Sequence, residues 1–478
     1  MFREIEFKLE IDPEGAKRLL AKSWLCEGRC EARPQLTVYY DTSDGEIRRR
    51  GFTLRVRKAG DRYVQTVKTL AAGAGLFERG EWEYEIGGIE LDRECLSRTP
   101  LAHFQSADLG EIIRSNVTRH SCRIASDGSQ IQLDYDEGEL GAHGQSLTIS
   151  ELELELLDGD PSAALNLARK VADSEPVRVG VMSKAERGFA LADGRLGKVF
   201  KAEPVEVRPG MTIAEAFAAI VAACARHFRM NEPLVISRRR PEALHQSRVA
   251  LRRLRAAFWL FRTAIADSEF GLLRDELRWF TRTLGDARNL DVFLQREHSD
   301  SERHRLERQR KEAYDRVVEA MNSRRCRLLI LNIVGWSSLG EWRAKAVADR
   351  PVEPYVSRRI DRLWARLGHA RHLSHMSEDE RHELRIQAKK LRYALEFVAA
   401  LHLNERERQR KFAKGIEDLQ ETLGQLNDLA VARTLVTADA WPIELHEPDE
   451  AERALLHDAG RSLDHLRETG AYWCDADD

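Results

Sequence analysis

Cysteine is scarce in this chain: seven among 478 residues, at 26, 30, 95, 122, 224, 326 and 474. They form no CxxC pair, and no nearby His or Cys completes a zinc site around Cys26 and Cys30. Odd in number and dispersed, they predict a reducing compartment and no disulfide framework. Long apolar runs are missing too, since none approaches the ~18 residues that span a bilayer. The chain opens directly on a strand pattern with no leader, so it reads as cytoplasmic, with no membrane partner. Nor does one sign of charge dominate, the net value being −3. That balance hides a division: residues 1–200 sum to −6, whereas the remainder sums to +3 and holds 12 of the 15 histidines. A basic, histidine-rich second half points to an anionic partner.

What the first half has in quantity is charge at every second residue. Glu4, Glu6 and Lys8 alternate with Ile5, Phe7 and Leu9. The pattern recurs with Arg55 and Arg57 around Val56, and with Glu81, Glu83 and Glu85 around Trp82 and Tyr84. It recurs again with Asp134 and Asp136 around Tyr135, and with Glu151, Glu153 and Glu155 between leucines. On a strand, such a period puts all charge on one face and all apolar bulk on the other. Both signs on these faces predict a closed antiparallel sheet whose lumen holds cations and a polyanion together. Two helices, near 13–24 and 161–174, interrupt the strands up to about residue 198. A Pro- and Gly-bearing linker follows at 199–210.

From 211 to 478 the period changes to 3.6, which predicts an all-helical domain. The chain is too long for one core, so at least two domains are expected. The helical half repeats itself. His245-Gln-Ser-Arg248-Val-Ala-Leu-Arg252-Arg253-Leu-Arg255 aligns without gaps on His382-Glu-Leu-Arg385-Ile-Gln-Ala-Lys389-Lys390-Leu-Arg392. LGDARNLDV from Leu284 likewise aligns on LGQLNDLAV from Leu423. These matches predict two related bundles, roughly 211–345 and 350–470. On a helix, His245, Arg248, Arg252 and Arg255 share a face, as do His382, Arg385, Lys389 and Arg392. Leu251, Leu254 and Phe258 would pack the other side of the first helix, and Ala388, Leu391 and Leu395 that of the second. Spacing alone does not name the anion, but the stripes lack the interleaved aromatics that stack unpaired bases, so nucleic acid is not the expected partner.

The helical half resembles the CHAD family over about 211–470. That resemblance implies binding of long-chain inorganic polyphosphate through His245, Arg248, Arg252, Arg253 and Arg255, and through His382, Arg385, Lys389, Lys390 and Arg392. It also raises polyphosphate granules as a location. One departure is that Arg278 and Arg282 align with Glu417 and Glu421. If His245 and His382 contact the polyanion, binding should tighten somewhat from pH 8 to pH 6.

The first half resembles the CYTH superfamily of triphosphate tunnel enzymes. Glu4-Ile-Glu6-Phe-Lys8 matches its ExExK signature. LRVR at 54–57, TVK at 66–68, RGEWE at 79–83, Arg119, LDYDEG at 133–138, ELELE at 151–155 and SKAERG at 183–188 follow in the family's order. The resemblance implies a metal-dependent inorganic triphosphatase that splits tripolyphosphate into pyrophosphate and phosphate. Glu4, Glu6, Glu153 and Glu155, with Glu151 at the strand's end, would hold Mg²⁺ or Mn²⁺, hard cations that take carboxylate oxygens. Lys8, Arg55, Arg57, Lys68, Arg119 and Lys184 would bind the phosphates. Glu81, Glu83 and Asp136 are the candidates to position the attacking water. Nucleoside or thiamine triphosphate hydrolysis, cyclisation of ATP, or non-catalytic binding of polyphosphate are the alternatives.

Overall fold

The computed structural model describes residues 5–25, 30–70, 80–205, 207–295, 299–370, 372–437 and 450–473. Glu4 lies outside the described residues. The packing forms two compact units. One gathers Met1–Glu203, Val221–Arg252 and Asp267–Glu341; the other gathers Pro204–Ile220, Arg253–Ala266 and Trp342–Asp478.

The first unit is built on one antiparallel sheet. Its strands are β1 (Glu6–Glu10), β2 (Glu31–Asp41), β3 (Phe52–Ala59), β4 (Arg62–Thr69), β5 (Glu81–Ile86), β6 (Gly110–Ser126), β7 (Ser129–Ala142), β8 (Gln145–Asp158) and β9 (Arg178–Val179). They lie in the order β5-β4-β3-β2-β6-β7-β8-β1-β9. The tunnel is barrel-like, but the ladder does not close: among the described residues nothing pairs β5 with β9. The closed sheet expected from the alternation is not met.

Register explains the charged face. Glu6 lies opposite Glu155 and Lys8 opposite Glu153. Asp134 lies opposite Glu153 and Asp136 opposite Glu151, while Arg119 faces Asp136 and Lys68 faces Glu81. The intervening residues form the apolar face. Phe7, Leu9, Leu133, Leu152 and Leu154 are buried there, each stabilising the fold by about 1.5–3 kcal/mol. A one-residue slip would exchange the two faces, so the alternation fixes the pairing.

Helices cover the apolar face and one end of the sheet. α1 (Pro13–Leu20) begins at Asp12, whose carboxylate accepts from the Gly15 N–H. α2 (Glu46–Arg49) and α3 (Arg93–Ser97) are short; Ile47 and Leu96 pack with Leu54 and Val67. α4 (Pro161–Ser174) packs on β1 and β8. α5 (Lys184–Ala192) packs on β6, β7 and β8, with Phe189 and Ala185 in a core shared with Ile113 and Ile149. The sequence pattern located α1 and α4 but not α5. The signal was present as the capping box of Ser183 and Glu186, which satisfies two orphan donors at a helix start.

Helices make up the rest: α6 (Ile213–Arg238), α7 (Pro241–Ile265), α8 (Phe270–Phe293), α9 (Asp300–Asn322), α10 (Arg324–Leu339), α11 (Val352–Gly368), α12 (Glu378–Phe397), α13 (Arg406–Thr437) and α14 (Glu450–Thr469). The apolar faces expected on α7 and α12 are buried, from Leu251 to Phe258 and from Ala388 to Leu395.

The structure corrects the expectation for cysteine. Cys30 and Cys122 are joined by a disulfide between the start of β2 and β6. Residues 92 apart in sequence meet there because β2 and β6 are neighbours, with Glu31 opposite Ser121. Sequence spacing carries no trace of that pairing.

Candidate active site

The charged faces enclose a cavity of about 250 Å³ in the first unit. Glu6, Lys8, Arg55, Arg57, Lys68, Glu81, Glu83, Arg119, Asp134, Glu153, Glu155 and Lys184 supply its ionisable lining. Six carboxylates thus face six cations, a near-neutral lumen whose lining Tyr39, Thr53, Ser183 and Ala185 complete.

On the side of β1, β8 and α5 the charges are interlocked. Lys8 Nζ lies 2.6 Å from Glu153 and 3.5 Å from Glu6. Lys184, the first residue of α5, reaches Asp136 at 2.6 Å, Glu153 at 3.2 Å and also Glu151. Burial opposes its charge, yet Glu151, Glu153 and Asp136 hold it above the usual lysine range. Arg119 takes Asp136 in a two-pronged grip at 2.7 and 2.6 Å and reaches Asp134 at 2.8 Å and Glu153 at 2.5 Å. Against burial, Lys184, Arg187 and Lys8 bring Glu151 down to about 2. Glu151, Glu153 and Asp136 are all held below the ordinary carboxylate range, so they stay ionised at neutral pH and fix where their cations point.

The other side is different in kind. Arg55 and Arg57 project from β3 without comparable partners. Arg55 comes no nearer than 4.0 Å to Glu81, and Arg57 makes no ion pair among the described residues. The Nε of each is buried without a hydrogen-bond partner. Repulsion from Arg55, burial and repulsion from Arg119 push Arg57 down to about 10. On β5, Glu81 pairs with Lys68 at 2.7 Å, while Thr66 donates to Glu83 at 3.1 Å. Burial and the adjacent Glu81 carboxylate push Glu83 up. Two unsatisfied guanidinium groups beside a carboxylate of raised basicity make a place for an anion and for a water to attack it.

The donor set also fits a divalent cation. Asp136, Glu151 and Glu153 bring carboxylate oxygens within 4.8 Å of one another, but Lys8, Arg119, Lys184 and Arg187 already engage them. The cavity-facing Glu6, Glu153 and Glu155 offer the same hard oxygens toward the lumen.

In the helical region, the two LG motifs prove to be seats for arginine. A Cβ on Gly285 of α8 would lie 2.7 Å from Arg248 Nη1, and one on Gly424 of α13 would lie 3.6 Å from Arg385 Nη2. His245, Arg248 and Arg252 gather with Arg288 of α8. Burial and Arg288, Arg252 and Arg248 hold His245 down to about 4; burial, Arg252 and Arg288 bring Arg248 to about 10. Arg248 Nη1 and Arg252 Nε are buried without hydrogen-bond partners. In the second repeat Asn427 stands at the position of Arg288, and its side-chain oxygen lies 2.7 Å from His382 Nδ1.

A sequence profile for the CYTH domain matches residues 3–189, and one for the CHAD domain matches residues 219–437. The chain carries a CYTH domain followed by a CHAD domain. Over 197 residues, 40% of the chain, it is 26% identical to the inorganic triphosphatase of Haemophilus influenzae, and it spans 55% of that relative's length. The crystal structure of the CHAD domain of the plant Ricinus communis is 26% identical and covers 57% of this chain and 96% of its own, with a TM-score of 0.46. A Hippeastrum protein described as a "putative adenylyl cyclase" that reveals a dominant triphosphatase activity is 20% identical and covers 41% of this chain and 97% of its own, with a TM-score of 0.32.

Most predicted residues of the CYTH domain meet in the one cavity. Asp136 and Glu151 do not line it; fully buried, they hold Arg119, Lys184 and Arg187 from beneath. Asp134 lines the lumen and Arg187 binds Glu151; both fall in motifs read from the sequence, but neither was assigned a role there. Both were readable, Asp134 from its period-2 relation to Asp136 and Arg187 from sitting three residues after Lys184 on one helix face. In the CHAD domain, Arg253 is wholly buried, 2.9 Å from Glu396, so it is held away from solvent. Lys390 lies over the Trp259 ring at 5.4 Å, lowered by burial, Arg366 and Arg255. Arg255 is exposed, Lys389 is half-buried, and Arg392 donates to Gln420 at 3.2 Å. Among the described residues no helix is long and apolar enough to cross a membrane.

Proposed function

We propose that the CYTH domain hydrolyses inorganic tripolyphosphate to pyrophosphate and phosphate with a divalent cation, and that the CHAD domain binds long-chain polyphosphate. The observation that carries the first part is the Arg55–Arg57 pair, two cations without adequate counter-ions, beside Glu83. Such an arrangement destabilises the empty protein and is relieved by a bound polyanion. Arg55 and Arg57 grip the phosphate oxygens, while Lys8, Arg119 and Lys184, fixed by their carboxylates, set the chain's direction. Glu83, of raised basicity and oriented by Thr66, holds the water in line with the bond to be broken. The water's oxygen joins the terminal phosphorus as the bridging bond breaks. Its proton passes to Glu83, and pyrophosphate leaves with the bridging oxygen. A Mg²⁺ or Mn²⁺ ion held by Glu6, Glu153 and Glu155 would neutralise phosphate charge and raise the reactivity of the phosphorus.

The charged lumenal groups all address phosphate or metal, so tripolyphosphate should exceed ATP and thiamine triphosphate in kcat/KM by at least about tenfold. Such a ratio corresponds to about 1.4 kcal/mol of transition-state binding. Phosphate release from the three substrates decides this. A preference for ATP with a cyclic product would replace the proposal.

For the CHAD domain, the clustered Arg248, Arg252 and Arg288 support the binding of a polyanion. Affinity of the full chain for long-chain polyphosphate should fall steeply with salt, because each contact displaces a counter-ion. Arg252→Glu with Lys389→Glu should weaken it by about 100-fold, against less than threefold for reversal at Arg308. In the free protein His245 stays neutral from pH 8 to pH 6, its value being held near 4, so it adds no charge over that range before the anion arrives. Titration calorimetry at two salt concentrations reads these effects; equal losses at both sites would remove the stripe from the binding surface.

A further inference from the structure

β9 is an edge strand, and the chain leaving it runs straight into the lumen. After Val179 come Gly180 and Val181, then Ser183 as the N-cap of α5, then Lys184. One side of this strap is fastened to β1. The Gly180 N–H donates to the Lys8 carbonyl at 2.8 Å. A Cβ on Gly180 would lie 2.8 Å from Lys8 Cγ, so only glycine lets the lysine stem pass beneath it.

The other side has no strand partner among the described residues, and its carbonyls need donors. Two arginines of α6 supply them. Arg229 Nε donates to the Val179 carbonyl at 2.9 Å, and Arg226 Nη1 donates to the Val181 carbonyl at 2.5 Å. Each also engages carboxylates. Arg229 reaches Glu10 of β1 at 2.7 Å and also Glu232. Arg226 lies 3.2 Å from Glu186, the residue that closes the capping box of α5. One helix thus grips the backbone before α5, the cap of α5 and the end of β1. Arg229 is nearly fully buried, a costly place for a guanidinium unless it is paired and hydrogen-bonded, as it is here to Val179, Glu10 and Glu232. Both arginines fall within the stretch matched by the CHAD profile.

We propose that Arg226 and Arg229 are positioning residues of the tunnel: they hold the Val179–Ser183 strap so that Lys184, and through Gly180 Lys8, stand at the phosphate site. A helix of the CHAD domain is then part of the catalytic scaffold of the CYTH domain. The proposal rests on the reading that Lys184 contacts the substrate.

The test uses the full chain with Arg226→Gln, Arg226→Lys and Lys184→Ala, alone and combined. Hydrogen exchange across residues 178–187 should accelerate by about tenfold or more in Arg226→Gln and by less in Arg226→Lys, which keeps one donor. For tripolyphosphate hydrolysis, Arg226→Gln should lower kcat/KM by about tenfold. In the Lys184→Ala background it should lower it by less than about twofold, because coupled residues are non-additive. Unchanged exchange across the strap, or equal losses in both backgrounds, overturns the proposal. A wild-type chain that releases no phosphate would count against the proposed reaction; the exchange measurement then still decides whether the strap is held by α6.

Discussion

Removal of divalent cations with EDTA should lower phosphate release from tripolyphosphate by about three orders of magnitude or more, while the circular dichroism spectrum stays unchanged. The reason lies in the lumen's charge balance. Its six carboxylates offset its six cations in number, so beyond the Arg55–Arg57 pair the protein alone offers little net attraction to a polyanion. Lys8, Lys184 and Arg119 are also committed to Glu153, Asp136 and Asp134. Glu6, Glu153 and Glu155 would hold the metal ion, and with it bound those carboxylates would no longer repel the substrate. A thousandfold loss corresponds to about 4 kcal/mol of transition-state stabilisation, within the range of metal-ion charge neutralisation. Replenishing Mg²⁺ or Mn²⁺ should restore the rate. Undiminished turnover in EDTA would eliminate the metal from the reaction.

Arg57→Met should move activity and stability in opposite directions. Hydrolysis should lose about 100-fold or more in kcat/KM, since a desolvated guanidinium on a phosphate contributes several kcal/mol. The folded protein should nevertheless melt about 2–4 °C higher, as expected for roughly 1 kcal/mol in a body of this size. Arg57 is held down to about 10 by Arg55, burial and Arg119, so its charge is a burden on the empty fold that methionine removes while keeping the bulk. Steady-state kinetics and scanning calorimetry on the same preparation measure both. A lower melting temperature with intact hydrolysis would make Arg57 a structural residue. Opposed signs are the signature of a site whose strain serves binding.

The alternation of Glu6 and Lys8, of Arg55 and Arg57, and of Glu153 and Glu155 was legible because a strand's period of two maps directly onto faces. The helical repeat was legible because two motifs recurred in register. What sequence could not separate was a carboxylate facing the lumen from one lying beneath it. Asp134 and Asp136 share a strand face, yet only Asp134 lines the cavity; α5 brings Lys184 down over Asp136. Depth is decided by that helix, placed by contacts far apart in the chain. The same holds for Arg253, which sits one residue from Arg252 and is buried against Glu396. The disulfide of Cys30 and Cys122 and the grip of α6 on β9 are likewise long-range facts with no local pattern.

The open sheet has a bearing on solubility. An unpaired strand edge is a template on which a second copy could add its own strand, and closed barrels escape the hazard by having no edge. Here each edge carries its own deterrent. β9 is only two residues long, and its Val179 carbonyl is taken by the Arg229 side chain. β5 pairs only with β4 among the described residues and presents Glu81, Glu83 and Glu85, all exposed. A second β5 docking in register would bring like charges face to face, so Glu81 and Glu83, which furnish one wall of the lumen, also disfavour pairing through this edge.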